Sequence, residues 1–73
     1  MTDRDEFNVW WWDSSGGQHE ELRFVSARTA VERAHTLTQG PAAQLGIVER
    51  VIITDGGDCT NFEWKNGKGV TFK

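Results

Sequence analysis

The chain has 73 residues, 37% of them hydrophobic, and a formal net charge of −3 from eleven acidic and eight basic residues, so it can form one small domain around one core. The longest apolar run, 9–12, is far shorter than the roughly 20 residues of a membrane-spanning helix, and the charged N-terminus has no secretory apolar stretch. The single cysteine, Cys59, excludes an internal disulfide and a multi-cysteine zinc site, and favours a reducing, cytoplasmic setting.

The first 25 residues predict a disordered tail followed by a β-hairpin. Residues 1–6 are polar and lie next to the terminus, so we expect them to be disordered and a single domain to span 7–73. Residues 7–12 are aromatic or β-branched apart from one asparagine, which favours a strand. Residues 13–18 are typical of a turn, and the alternation of apolar and charged residues over 19–25 predicts a second strand.

The register of this hairpin follows from its apolar positions, because residues that lie opposite each other share one face of the sheet. We expect a two-residue loop of Ser15 and Gly16. One face, which we expect to lie under a helix, then has the pairs Phe7–Phe24, Val9–Leu22 and Trp11–Glu20. The opposite face has the pairs Asn8–Arg23, Trp10–Glu21 and Trp12–His19. One face is therefore nearly all apolar, and the other combines tryptophan with charged side chains.

A single convincing helix follows the hairpin. Ser26 is a typical N-cap residue, and Gly40 is expected to end the helix as a left-handed cap before Pro41. The apolar residues between them recur with the spacing of one buried helical stripe: Ala30, Val31, Ala34 and Leu37. Residues 41–46 are predicted to form either a single helical turn or a loop.

The C-terminal part predicts two further strands and a short third one. Residues 47–54 are rich in valine and isoleucine, and 59–65 form the return strand after a Gly56-Gly57 loop that would place Val51 opposite Phe62. Asn66-Gly67 marks a second turn before a short strand, 70–72. Its loop has either three residues, Lys65-Asn66-Gly67 with Gly67 left-handed, which places Val70 opposite Phe62, or two residues and a bulge at Gly69, which also brings the apolar residues to one face.

These elements predict an α+β fold, with a small, mostly antiparallel sheet in β-β-α-β-β(-β) order and one helix packed on one face. The order of the strands within the sheet is not determined by the pattern. The core between helix and sheet is expected to contain Trp11, Phe24, Val31, Leu37, Val51 and Phe62.

No motif of the sequence predicts catalysis, a cofactor or a metal. The only soft metal ligands are His19, His35 and Cys59, and none of them has the spacing of a zinc site. Asp55 and Asp58 flank a Gly-Gly pair, which indicates a structural turn more than a calcium loop. Arginines are interspersed with glutamates instead of forming a basic stripe, so nucleic-acid binding is disfavoured. We expect a protein that is not an enzyme.

The tryptophans are the unusual feature of the sequence. The chain has four tryptophans, and three of these, at positions 10–12, are consecutive. In a strand Trp11 faces one side while Trp10 and Trp12 face the other, which we assign to the face without a helix. The leading hypothesis is a non-enzymatic protein-interaction or self-association module, a homodimer or a complex with a protein partner, that uses this open face. Its expected contact residues are Trp10, Trp12, His19, Glu21, Arg23 and Ile52, with Val48 adding to the surface and Arg23 close enough to Trp10 for a cation–π contact.

Two alternatives stay open at this point. The first is a module that binds a sugar or an aromatic ligand by stacking it on the same tryptophans. The second is that the sheet curls, or that residues 41–46 cover the rings, so that these tryptophans belong to an intramolecular core.

Overall fold

A computed structural model describes residues 5–73; residues 1–4 of the predicted tail lie outside the described part. The predicted α+β class is confirmed, with one antiparallel sheet and a helix on one of its faces. The elements in chain order are β1 (Phe7–Asp13), β2 (Gln18–Val25), α1 (Ala27–Gln39), α2 (Pro41–Gln44), β3 (Val48–Thr54), β4 (Thr60–Lys65) and β5 (Gly69–Phe72).

The strand order, β2-β1-β3-β4-β5, determines where the helix lies. The chain leaves the edge strand β2, crosses β1 by way of α1 and α2, and re-enters the sheet as β3 on the other side of β1. Helix α1 therefore packs mainly on β3 and β1, with a smaller contact on β2. The helix-side surfaces of β4 and β5 are left without a helix above them.

Helix α1 begins as predicted and ends differently. The Ser26 hydroxyl accepts a hydrogen bond from the Thr29 backbone N–H at 3.2 Å, which caps the first turn. Ala30 and Ala34 are fully buried, so the helix lies close to the sheet. The predicted left-handed cap is wrong, because Gly40 is extended, with φ −86° and ψ 179°. A Cβ at Gly40 would lie 2.6 Å from the Thr36 carbonyl oxygen, so this position requires glycine for space.

The first hairpin has a three-residue loop, and the predicted two-residue loop is wrong. Asp13 pairs with Gly17, and Gly16 has the positive φ (+92°) that such a loop requires. This extra loop residue places His19 opposite Trp11 and Gln18 opposite Trp12. Glu21 is then an extra residue in β2 that restores the predicted Val9–Leu22 pair.

A second irregularity of β2 explains why Phe24 is not in the core. Phe7 pairs with Val25 instead of Phe24, and Phe24 has a positive φ of 56°. Its backbone N–H donates to the Asn8 side-chain carbonyl at 3.0 Å, and its own side chain is 65% exposed. The predicted Phe7–Phe24 pair and the predicted burial of Phe24 are therefore wrong.

The two C-terminal hairpins also have three residues between the paired ends of their strands. In the first, Asp55 pairs with Cys59 and Asp58 is left-handed (φ 62°). Asn61 is then an extra residue in β4, so Phe62 lies opposite Ile53 and not opposite Val51. In the second, Lys65 pairs with Gly69, whose φ is +80°. Trp64 then lies opposite both Val51 and Val70, so the predicted Val70–Phe62 pair is wrong. Thr71 is an extra residue between the two last pairs of β5.

The core differs in membership from the predicted one. Val51 is fully buried as predicted, and Trp11, Leu37 and Phe62 pack against the core while half-buried; Val31 is 60% exposed, so its predicted burial is wrong. The buried apolar residues are Val9, Ala30, Ala34, Ala43, Val48, Val51, Ile53 and Trp64. Val48, predicted on the open face, is inside because Glu49 is an extra residue where β3 pairs with the end of β1.

Candidate binding site

The parity predicted for the tryptophans is found in the sheet. Trp10 and Trp12 alternate with Val9 and Trp11 of the helix side, so they lie on the open face, where Trp10 is paired with Ile52. Both indole side chains are half-buried. The open face therefore brings together three of the six predicted contact residues.

Each of these two tryptophans has a partner within the chain. The Trp10 indole N–H donates to the Thr54 hydroxyl at 3.1 Å. The Arg50 guanidinium lies 4.6 Å from the centre of the Trp12 ring, a cation–π distance, and its Nε donates to Glu63 Oε2 at 2.7 Å. This arginine holds the pKa of Glu63 below its ordinary value. Arg50 was missed from the sequence because its contact with Trp12 depends on β1 lying beside β3.

The other three predicted contact residues are not part of this cluster. His19 stacks on Trp11 with ring centroids 4.2 Å apart. Glu21 accepts hydrogen bonds from the Trp11 indole at 3.1 Å and from Arg33 of α1 at 2.6 Å, so it ties the helix to the sheet. Arg23 forms an ion pair with Glu20 and lies 5.4 Å from the centre of the Phe24 ring. The predicted Arg23–Trp10 cation–π contact is therefore wrong.

Asp13 organises the loop of the first hairpin. His19 Nε2 lies 2.7 Å from its Oδ2, and the Ser15 hydroxyl, Ser15 N–H and Gly17 N–H donate to its Oδ1. These bonds, the one from His19 above all, hold the pKa of Asp13 well below its ordinary value. The Ser15 hydroxyl is bonded to Asp13 and not to the histidine, so these three side chains do not form a nucleophile–base pair.

Asp55 has the equivalent role in the next hairpin. Its carboxylate accepts from the Asn61 side chain at 3.1 Å, and from the backbone N–H groups of Cys59 and Gly57. The hydrogen bond from Asn61, followed by those from the backbone, lowers the pKa of Asp55. Across residues 5–73, no three His, Cys, Asp or Glu side chains are grouped so that they could hold a metal ion.

A concave surface of appreciable size lies on the helix side of the sheet. It is a groove of about 600 Å³ between α1 and the β4–β5 hairpin, at the place where the strand order leaves the sheet uncovered. Its lining residues are Phe7, Ala27, Val31, Ala34, His35, Thr38, Gln39, Ile53, Asn61, Phe62, Trp64, Gly69, Val70 and Lys73. Small-molecule sites have volumes of about 300–1,000 Å³ and are lined mainly by apolar and aromatic side chains with a few polar groups.

The groove has a distinct chemical character. Val31 of α1 and Val70 of β5 are 60% and 52% exposed, although both are apolar. None of the described lining residues is acidic, in a chain with eleven acidic residues, whereas His35 and Lys73 are basic. The groove therefore offers an apolar surface without negative side chains in a protein of net negative charge.

The residues of the groove were identified from the sequence as apolar but were assigned to the wrong role. Val31 and Phe62 were expected inside the core and Val70 opposite Phe62, on the face of the sheet that was expected to lie under the helix. The position of α1 over β1 and β3 leaves all three lining a groove, although Phe62 also packs against the core. An excess of apolar residues over what one short helix can cover was the available signal.

No family model matches the chain, and neither a curated protein nor a solved structure matches it. In the part that the structure describes, the helices are too short or too polar to cross a membrane.

Proposed function

We propose that the protein is a non-enzymatic binding module and that the groove between α1 and the β4–β5 hairpin holds a small molecule with an apolar body. It shares the class of small-ligand binding with the alternative drawn from the sequence, a sugar- or aromatic-binding module stacking on the open-face tryptophans, but differs from it in the ligand and in the face of the sheet. The observation that carries the proposal is the uncovered helix-side surface of β4 and β5, which leaves a groove of ligand size above Phe62 and Trp64.

The energetics of the groove support this assignment. A ligand that covers Val31 and Val70 removes apolar surface from water, which is favourable by about 25 cal/mol per Å². The walls need no rearrangement, because α1 is held close to the sheet by buried Ala30 and Ala34 and the floor belongs to the core. A preformed site avoids much of the ordering cost of binding.

The non-enzymatic part of the proposal rests on the side chains around the groove. Its polar lining residues comprise one histidine, one lysine and three uncharged side chains, without a nucleophile placed beside a base. Cys59 is exposed and free, which suits the reducing, cytoplasmic setting proposed from the cysteine count.

A charge placed in the groove tests this proposal. We expect Val31→Glu to weaken binding of N-phenyl-1-naphthylamine, a neutral apolar fluorescent probe, at least tenfold, because a carboxylate at this position must be desolvated by the probe. Val31 is already exposed, so the melting temperature should change little. The measurement is a fluorescence titration.

The matched control is Thr36→Glu, which places the same charge on the exposed side of the same helix, outside the groove lining. It should bind the probe like the parent. Equal probe binding by the parent and Val31→Glu, or no binding by the parent, would contradict the proposal.

A second proposal, self-association through the open face, is favoured by the absence of a covering element there within residues 5–73. Ile52 is half-buried, and Phe72 is 51% exposed at the end of the same cross-strand row. Sedimentation velocity is expected to show a dimer for the parent and a monomer for the double change Trp10→Ser, Trp12→Ser. A parent that is monomeric at high concentration would remove this proposal.

A further inference from the structure

Trp64 has an unusual hydrogen-bonding state for a buried residue of the groove. Its side chain is only 9% exposed, yet its indole N–H donates to no acceptor within the described residues and keeps some access to solvent. By contrast, the indoles of Trp10 and Trp11 donate to Thr54 and Glu21. Buried indole N–H groups usually find a partner, so this donor is available to a ligand.

Trp64 is also one of the residues that line the groove. Trp64 lies opposite Val51 and Val70 on the helix side of the sheet, and it contributes to the floor of the groove. A molecule seated in the groove contacts Trp64. An acceptor atom on this molecule that reaches the N–H group replaces the water there.

The charge of the lining indicates which acceptor is suitable. Lys73 and His35 line the groove and none of the described lining residues has an acidic side chain, so an anionic group meets no negative side chain there. Hydrogen bonds to an ionised acceptor are about twice as strong as those between neutral groups. We infer that the groove binds a monocarboxylic acid with an apolar body, and that its carboxylate accepts a hydrogen bond from Trp64 Nε1; this inference rests on the proposed function.

The test compares two probes of nearly equal shape, 1-naphthoate and 1-methylnaphthalene, on the full chain. In ¹⁵N-labelled protein the four tryptophans give four indole N–H signals. We expect naphthoate to shift the Trp64 signal downfield, as a new hydrogen bond does, while the signals of Trp10 and Trp12 on the opposite face stay in place. Methylnaphthalene should bind without that downfield shift.

The variant Trp64→Phe keeps an aromatic ring in the floor and removes the N–H donor together with the pyrrole part of the indole, so the affinity for methylnaphthalene reports the packing that is lost. It is expected to lose about tenfold in affinity for naphthoate and to keep its affinity for methylnaphthalene within about twofold. The melting temperature of the variant shows whether its fold persists. If the variant does not fold, the shift of the Trp64 signal in the parent protein decides whether the carboxylate accepts from Trp64 Nε1. This variant also assigns the Trp64 signal.

The possible outcomes separate the inference from the proposal beneath it. If neither probe binds the parent, the proposed function fails. If both probes bind with similar affinity and neither shifts the Trp64 signal downfield, the carboxylate inference is overturned. The groove then stays a site for neutral apolar groups. A shift confined to Trp10 or Trp12 would place binding on the open face and overturn both.

Discussion

Replacing Trp64 with alanine is expected to lower the free energy of unfolding by about 3–5 kcal/mol, a large part of the stability of so small a domain. Trp64 is the largest of the buried residues and lies between Val51 of β3 and Val70 of β5. Its removal leaves a cavity in a core composed otherwise of alanine, valine and isoleucine, which are too short to fill it. Urea denaturation followed by circular dichroism measures the loss.

Phe62→Ala is the matched comparison, because Phe62 is on the same strand and the same face but only half-buried beside the groove. It is expected to cost clearly less than Trp64→Ala, since its ring loses fewer contacts and water can fill the enlarged groove. From the sequence alone Phe62 was expected inside the core, where loss of such a ring costs about 3–5 kcal/mol. A larger effect at Phe62 than at Trp64 would show that the core is not where the structure places it.

Asn66→Ala is expected to destabilise the fold by about 2–4 kcal/mol, far more than a turn residue usually does. The Asn66 amide donates to the carbonyl oxygens of Ala43 and Val48, each at 2.9 Å, and so joins the β4–β5 turn to α2 and to the start of β3. Ala43 and Val48 are buried residues, so their carbonyl groups lose a partner that water does not readily replace.

The control is Asn61→Ala, which removes the same amide from an exposed position near the start of β4. Asn61 donates to Asp55 and to the Cys59 carbonyl, both at the surface, and its loss is expected to cost less than about 1 kcal/mol. Similar unfolding free energies for the two variants would mean that the Asn66 amide does not hold the segments together. Asn66→Asp should resemble Asn66→Ala, because a carboxylate cannot donate.

The elements of the fold were predictable because each has a strong local signal. Alternation of apolar residues identified the strands, and Ser26 the start of the helix. The parity that sends Trp10 and Trp12 to one face and Trp11 to the other follows from strand geometry alone, and the sheet has it. These features depend on neighbouring residues and need no knowledge of the rest of the chain.

The candidate site was not predictable in the same way, because it depends on register and strand order. Because the loop has three residues instead of two, His19 lies opposite Trp11 and not opposite Trp12. Glu21 is an extra residue of β2 and accepts a hydrogen bond from Trp11, so it is not beside Trp10. Because Glu49 is an extra residue, the side chain of Val48 lies in the core and not on the open face. Such insertions are stabilised by tertiary contacts, such as the bonds from Trp11 and Arg33 to Glu21, that no local pattern contains.

The irregular residues in the outer strands have a consequence for aggregation. A strand at the border of a sheet presents unpaired backbone groups that can recruit another chain, and fibrils grow in this way. Here β2 is interrupted at Glu21 and at Phe24, and the four-residue β5 is interrupted at Thr71. Neither edge strand offers a long, regular template to another chain. Growth into fibrils by edge-to-edge pairing is therefore disfavoured, even though the sheet has two edge strands.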